Sequence, residues 1–188
     1  MITRSEDFLV KNSIELVRFS DDYLSDIYDV YGDQEQRLNV LPKKSYITRE
    51  QFEANFKRHI EFKYTEFKII KDDSNKFIGF VIAYEYLPDD GHMKVSVYVK
   101  PEFQHGAYGL IAVVKFVDYL FKFYNLNKLF TEVYDFNTPS IKLHDTFGFT
   151  KEGHLKEYKY YNGEYHDMLI YAVTRETFYG KIKGLHLL

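Results

Sequence analysis

There is no cysteine among the 188 residues, which excludes a disulfide scaffold, a thiolate metal site and a cysteine nucleophile. Tryptophan is absent too, and proline occurs only four times. No internal repeat and no Ser-, Gly- or Pro-rich linker interrupts the chain, so one compact unit is favoured over two. Nothing approaches the roughly 18 uninterrupted apolar residues of a membrane span. The start, MITRSEDFLV, lacks the apolar stretch of a secretory signal. These absences lead to the expectation of a soluble, cytoplasmic protein with no membrane partner. An excess of basic charge is missing as well: 25 Lys and Arg stand against 28 Asp and Glu, for a net charge of −3. A protein that neutralises many nucleic-acid phosphates is basic, so no nucleic-acid partner is expected.

What is present is apolar and aromatic. Apolar residues make up 45% and charged residues 28%, a globular composition that excludes a disordered tail or a collagen-like fibre. The aromatic content is 18 Tyr and 17 Phe. Phe is core material, while so many Tyr suggest a wet, amphipathic lining.

Residues 13–19 (SIELVRF) alternate apolar and polar like a half-buried strand. Ser20-Asp21-Asp22 offers an N-cap, and Leu24, Ile27, Tyr28 and Tyr31 follow at helical spacing up to Gly32. Thr48 and Gln51 have the spacing of a capping box that opens a second helix through about residue 62, with Phe52, Phe56 and Ile60 on one face. A short strand is expected at 66–71, and Asp72-Asp73-Ser74-Asn75 is a turn by composition. The long strand 77–87 contains Gly79, which marks a bulge or a close backbone approach. After the turn Pro88-Asp89-Asp90-Gly91, residues 93–99 return as its partner.

Positions 110, 113, 114, 117, 120, 121 and 124 make the broad apolar stripe of a helix laid on a sheet. Another strand is expected at 129–134, then a helix with Thr138 as N-cap, Pro139 at its first position and Gly148 as terminator. Residues 155–161 and 164–173 read as a hairpin joined by Asn162-Gly163 in a type I′ turn. The order β-α-α-β-β-β-α-β-α-β-β predicts a mixed α+β fold, a mixed sheet flanked by helices. The expected organisation is an extension at 1–12, one domain at 13–178 and a tail at 179–188.

Two segments carry candidate chemistry. In 97–109 (VYVKPEFQHGAYG) a strand ends, Pro101 stops its ladder, and a loop with Gly106, Ala107 and Gly109 opens the long helix. Small residues let a backbone approach a ligand, and a helix N-terminus offers unpaired N–H groups at a positive dipole end. Together they suit a pyrophosphate, although glycine also serves turn geometry alone. In 137–149 (NTPSIKLHDTFGF), capping by Thr138-Pro139 and termination at Gly148 leave Asn137 unexplained. Both segments follow strand ends of one crossover, where α/β ligands usually bind.

These residues resemble a known family. Asn137-x-x-Ser140-x-x-Leu143, closing with Phe147-Gly148-Phe149, is similar to the second signature of the GNAT acyl-CoA-dependent N-acetyltransferases. Gln104-x-x-Ala107-x-Gly109 is similar to their pyrophosphate loop. The tail from Gly148 to Asp167 resembles the branch that holds spermidine N-acetyltransferases and ribosomal-protein N-terminal acetyltransferases.

The resemblance implies a central, mostly antiparallel seven-stranded sheet of the acyl-CoA N-acyltransferase type, with acetyl-CoA as cosubstrate and no metal. It implies that backbone amides of Gln104, His105, Gly106, Ala107, Tyr108 and Gly109 hold the pyrophosphate of coenzyme A. The strand end at Val97 and Val99 would pair with the pantetheine arm and polarise the thioester carbonyl. Asn137 would hydrogen-bond the pantetheine, and Lys142 or Lys115 would meet the 3′-phosphate unless they are simply solvated.

The sequence departs from the family in three places. Ala107 replaces a usual glycine, which costs backbone freedom only if that position needs a positive φ. His144 stands where a Tyr usually protonates the departing thiolate; an imidazolium can donate a proton, and a packing histidine is the plain alternative. Lys94 stands where related polyamine enzymes often carry Glu, so the base is unassigned, with Glu85 and Glu132 as candidate strand carboxylates. Tyr84, Tyr86, Tyr158, Tyr160, Tyr161 and Tyr165 are either hairpin packing or the walls of an acceptor pocket with a cation–π seat.

The activity implied is direct acetyl transfer to a primary amine of a small molecule, such as a polyamine or an amino sugar. A protein N-terminus as acceptor and an inactive acyl-CoA-binding module are the alternatives. Pairing as a homodimer is left open.

Overall fold

The alternation at the start of the chain becomes β1 (Ile14–Arg18). It is followed by a 3₁₀ turn (Asp21–Tyr23) and α1 (Leu24–Gly32). The computed structural model describes residues 13–32, 48–61, 65–104 and 106–185. The expected extension at 1–12, position 105 and the helix end at 62 lie outside them. Ser20 stands at the expected N-cap, but its hydroxyl bonds the Asp22 carboxylate and makes no cap bond.

Thr48 does form the expected capping box. Its Oγ1 accepts from the Gln51 amide at 3.2 Å, and the Thr48 amide donates to Gln51 Oε1 at 3.1 Å, opening α2 (Arg49–Ile60). Then come β2 (Glu66–Asp72), β3 (Phe77–Leu87), β4 (His92–Val99), α3 (Tyr108–Phe123), β5 (Lys128–Tyr134), α4 (Thr138–Thr146), β6 (Thr150–Tyr161) and β7 (Glu164–Thr174). The last element is α5 (Arg175–Leu185).

The strands form one seven-stranded sheet in the order β1-β2-β3-β4-β5-β7-β6. β4 and β5 are parallel, pairing His92 with Lys128, Met93 with Leu129 and Lys94 with Phe130. β1–β2, β2–β3, β5–β7 and β6–β7 are antiparallel. The fold is thus mixed α+β with a mostly antiparallel sheet, as the sequence suggests.

Two compact units are distinguishable, Met1–Tyr84 with Ser96–Tyr119 and Glu85–Val95 with Leu120–Leu188. In the first, Leu24, Ile27 and Val30 of α1 and Phe52 and Phe56 of α2 are buried with Phe67, Ile69, Phe77, Phe80 and Tyr98. Phe52 stacks on Phe56, and Phe56 meets Phe67 edge-on at 5.2 Å. Burying these rings is the main favourable term for the unit, and each ring contributes about 1.5–3 kcal/mol.

In the second unit, α5 follows β7 without a loop. The Thr174 hydroxyl accepts from the Thr177 amide at 3.2 Å, and Phe178 and Ile182 are buried one turn apart. Arg175 secures the helix start: its Nε donates to Leu126 O at 3.1 Å while the guanidinium lies over Phe121. The segment expected as a tail from 179 onward is therefore helical as far as Leu185. In β6–β7, Asn162 and Gly163 have φ of 51° and 96°, the left-handed pair that a type I′ turn requires.

Gly79 fulfils both expectations made for it. Ile70 pairs with Gly79 and Lys71 with Phe77, so Ile78 is the extra residue of a β-bulge. A Cβ on Gly79 would stand 2.0 Å from the carbonyl oxygen of Tyr98. Because backbone cannot yield as a side-chain tip can, Gly79→Ala is expected to cost about 3 kcal/mol. Urea unfolding monitored by circular dichroism measures this as a lower midpoint.

Candidate active site

The first group of expected site residues is local to the first unit. The Lys100 amide donates to Ile78 O of β3 at 2.9 Å, so strand alternation turns the backbone of Val97 and Val99 to the opposite edge. There Gln104 Nε2 donates to Val99 O at 2.9 Å. This engages the Val99 carbonyl within the protein, while the expected pairing with the pantetheine arm calls on the N–H groups of the strand as well.

A 3₁₀ turn (Pro101–Phe103) follows, and the Gly106 amide donates to Phe103 O at 3.2 Å. The Ile111 amide donates to Ala107 O at 2.9 Å. The amides at 107–110 precede that bond and belong to the turn that a helix leaves without internal partners. Ala107 is buried and is not among the residues with positive φ, so its methyl carries no backbone strain. A Cβ on Gly109 would press Val99 Cγ2 at 3.3 Å, a packing reason for that glycine. His105 lies outside the described residues. Lys115 donates to Ile14 O at 2.7 Å and is thereby tied to β1.

The second group is local to the second unit. The helix α4 is capped by Asn137, whose Oδ1 accepts from the Ser140 amide at 3.2 Å. Thr138 is the first helical residue and Gly148, at φ 75°, lies just past the end. Capping therefore does explain Asn137, contrary to the sequence reading, which placed the cap one residue later. The cap uses only the amide oxygen, and among the described residues the Asn137 NH₂ keeps its two donors. Lys142 is exposed on the same helix.

His144 is 6% exposed. Its Nε2 lies 2.7 Å from Thr131 Oγ1 and its Nδ1 lies 2.6 Å from Ser140 O. A carbonyl only accepts, so Nδ1 carries the proton and Nε2 accepts from the Thr131 hydroxyl. The ring meets Phe149 edge-on and lies tilted against Tyr171. Burial pushes its pKa below the ordinary 6.5, against the opposing pull of the Ser140 carbonyl. A neutral imidazole with both nitrogens engaged inside the fold fits a packing histidine better than a proton donor to a thiolate.

On β5, Leu129, Thr131 and Val133 are buried, and α4 meets that face through the Thr131–His144 bond. Glu132 and Tyr134 lie on the other face. There the Lys94 ammonium lies 2.9 Å from Glu85 Oε2 and 2.8 Å from Glu132 Oε1. Burial works against the charge on Lys94, but hydrogen bonds to Glu132 and Glu85 outweigh it and hold the pKa well above its ordinary value. Both candidate bases are thus ion-paired to the same ammonium. Sequence spacing does not reveal this triad, because three strands contribute to it and only their register brings the residues together.

Tyr160 and Tyr165 meet edge-on while staying exposed, Tyr161 packs on Phe136, and Tyr86 packs on Tyr124. Among the described residues no group of His, Asp or Glu side chains is arranged to hold a metal ion. No helix among them is long and apolar enough to cross a membrane.

A family model described as an acetyltransferase (GNAT) domain matches residues 24–170. The chain belongs to the GNAT acetyltransferase family. Among its relatives is an uncharacterized prophage-derived N-acetyltransferase of Bacillus subtilis, 29% identical over 60% of this chain and 64% of the relative. The chain therefore spans slightly less than two thirds of that protein. The spermidine N(1)-acetyltransferase of Vibrio cholerae is 25% identical over 67% of this chain and 73% of its own length. A crystal structure of spermidine N-acetyltransferase from Vibrio cholerae, in complex with CoA and spermine, has the same fold. It superposes with a TM-score of 0.82 at 21% identity, covering 88% of this chain and 98% of the other.

Removing the His144 ring leaves a cavity and strands the Thr131 hydroxyl, so His144→Ala is expected to lose about 3 kcal/mol of stability. The unfolded chain protonates this group at about 6.5, whereas the folded chain resists protonation below that value. The unfolded state therefore binds more protons as the pH falls, and this contribution to stability is lost below about 6.5. Denaturation midpoints for the native protein and His144→Gln across that range measure it, and the variant is expected to show the shallower acid dependence.

Proposed function

We propose that the protein transfers an acetyl group from acetyl-CoA to a primary amine of a small molecule. The observation that carries this reading is the start of α3. Its first amides, at 107–110, follow a small-residue loop in which Ala107 needs no unusual φ. That arrangement fits a diphosphate, the anion for which a helix N-terminus is suited. The likeness to the Vibrio cholerae enzyme supports a small amine rather than a protein N-terminus as acceptor.

Acetyl-CoA supplies an activated thioester carbonyl: the C–N bond forms as the C–S bond breaks, and the proton shed by the amine balances the departing thiolate. The part of this chain is to bind and orient. Val97 offers its backbone N–H and C=O to the amides of the pantetheine arm, Asn137 donates from its NH₂, and Lys142 meets the 3′-phosphate. His144 holds α4 against β5 and so acts as a positioning residue. The absence of cysteine from the chain leaves no thiol to carry the acyl group, which suits direct transfer. Fixing amine and thioester together supplies much of the rate.

Acetyl-CoA is expected to raise the melting temperature. Mass spectrometry of a mixed pool of small amines and N-terminal peptides should then find the acetyl group on a small amine. Acetylation confined to peptides overturns the reading. Asn137→Asp keeps the capping oxygen but removes the donor. It is expected to leave the melting temperature within a degree or so while raising KM for acetyl-CoA about fivefold to tenfold. Asn137→Ala, which loses both, is expected to cost about 1 kcal/mol of stability as well.

A further inference from the structure

Lys94 sits at the last residue pair of the parallel β4–β5 ladder, opposite Phe130. Its ammonium is held between two carboxylates from neighbouring strands, Glu85 of β3 and Glu132 of β5. A pair of carboxylates spaced to take one ammonium between them is a seat for a cationic amine, and in this chain its own lysine fills it. The seat is accessible: the side chains of Lys94, Glu132 and Glu85 are 30%, 33% and 60% exposed. It is also built at some cost, because Glu85, two residues before the end of β3, has a left-handed φ of 52°, a conformation that persists where surroundings over-determine it. Tyr134 borders it: burial, with the charges of Tyr158 and Glu132 adding to the effect, raises its pKa and keeps the phenol protonated as a donor.

We infer that Lys94 is a specificity-determining residue, which excludes acceptors with a second ammonium and selects amines that carry a hydroxyl or carbonyl oxygen. An ammonium has three donors. Glu85 and Glu132 take two, and the third is directed to an oxygen of the acceptor. A polyamine must displace Lys94 from both carboxylates before its own distal ammonium can enter. An amino sugar meets no such competition. The inference rests on the proposed acetyl transfer for its kinetic form, but the occupied seat is independent of it.

Kinetics with glucosamine and spermine, together with calorimetry of spermine in the absence of acetyl-CoA, test the inference. The native protein is expected to favour glucosamine over spermine in kcat/KM. Lys94→Gln should raise kcat/KM for spermine about tenfold and bind spermine measurably where the native protein does not. Adding Glu132→Gln should abolish that binding, and Lys94→Arg, which keeps the cation, should retain the native preference. Equal use or equal binding of spermine by the native protein and Lys94→Gln overturns the inference while leaving the acetyl transfer standing. If acetyl-CoA binds but no amine is acetylated, the proposed function fails, and the calorimetry still decides the seat.

Discussion

β4 is shared between two ladders for only part of its length, and the candidate chemistry depends on that. Its parallel pairing with β5 reaches Lys94–Phe130, yet the strand continues to Val99, and the next amide is still bonded to β3. A strand edge beyond its partner carries unspent N–H and C=O groups. Gln104 satisfies one of these, at Val99 O. The loop after the strand adds the amides of a helix start, the turn that a helix leaves without internal partners. The proposed hold on the cofactor thus rests largely on backbone groups at a strand edge and a helix start.

The same accounting separates side chains that serve the fold from side chains that can serve a ligand. His144 has spent both ring nitrogens and sits in a core of Phe149 and Tyr171. Asn137 has spent only its oxygen, so one residue both starts α4 and keeps donors to offer. Lys94 is intermediate, charged and half-solvated, with two partners for three donors. Its pairing is worth little as stability, because exposed ion pairs contribute about 0–1 kcal/mol. In the inferred role, its value lies in fixing which charges an incoming amine meets.

Much of the fold was legible because local chemistry and global fold agree. The Thr48–Gln51 box, the Asn162-Gly163 turn and Gly79 each need a particular residue for a particular backbone, and each appears as read. The misreadings fall where two local signals overlap. Asn137 and Thr138 are both good caps, and the choice fell to the one whose side chain reaches the Ser140 amide. The helix α5 was hidden because β7 runs straight into it, and its apolar stripe is short, with Phe178 and Ile182 as the buried residues.

By itself the sequence determined the order of elements from β1 to β7, the family signatures and the small-residue loop ahead of α3. All of these are written in neighbouring residues, since turn, cap and helix geometry depend on contacts a few positions apart. Only the tertiary structure decided that Lys94 is clasped by Glu85 and Glu132, that His144 faces Thr131, and that Val99 is already bonded. The first two facts depend on strand register and on which face a helix covers, and the third on how the turn after β4 folds back. Register is set by the collective packing of distant strands, so charge pairing and burial at these positions cannot be read from spacing along the chain.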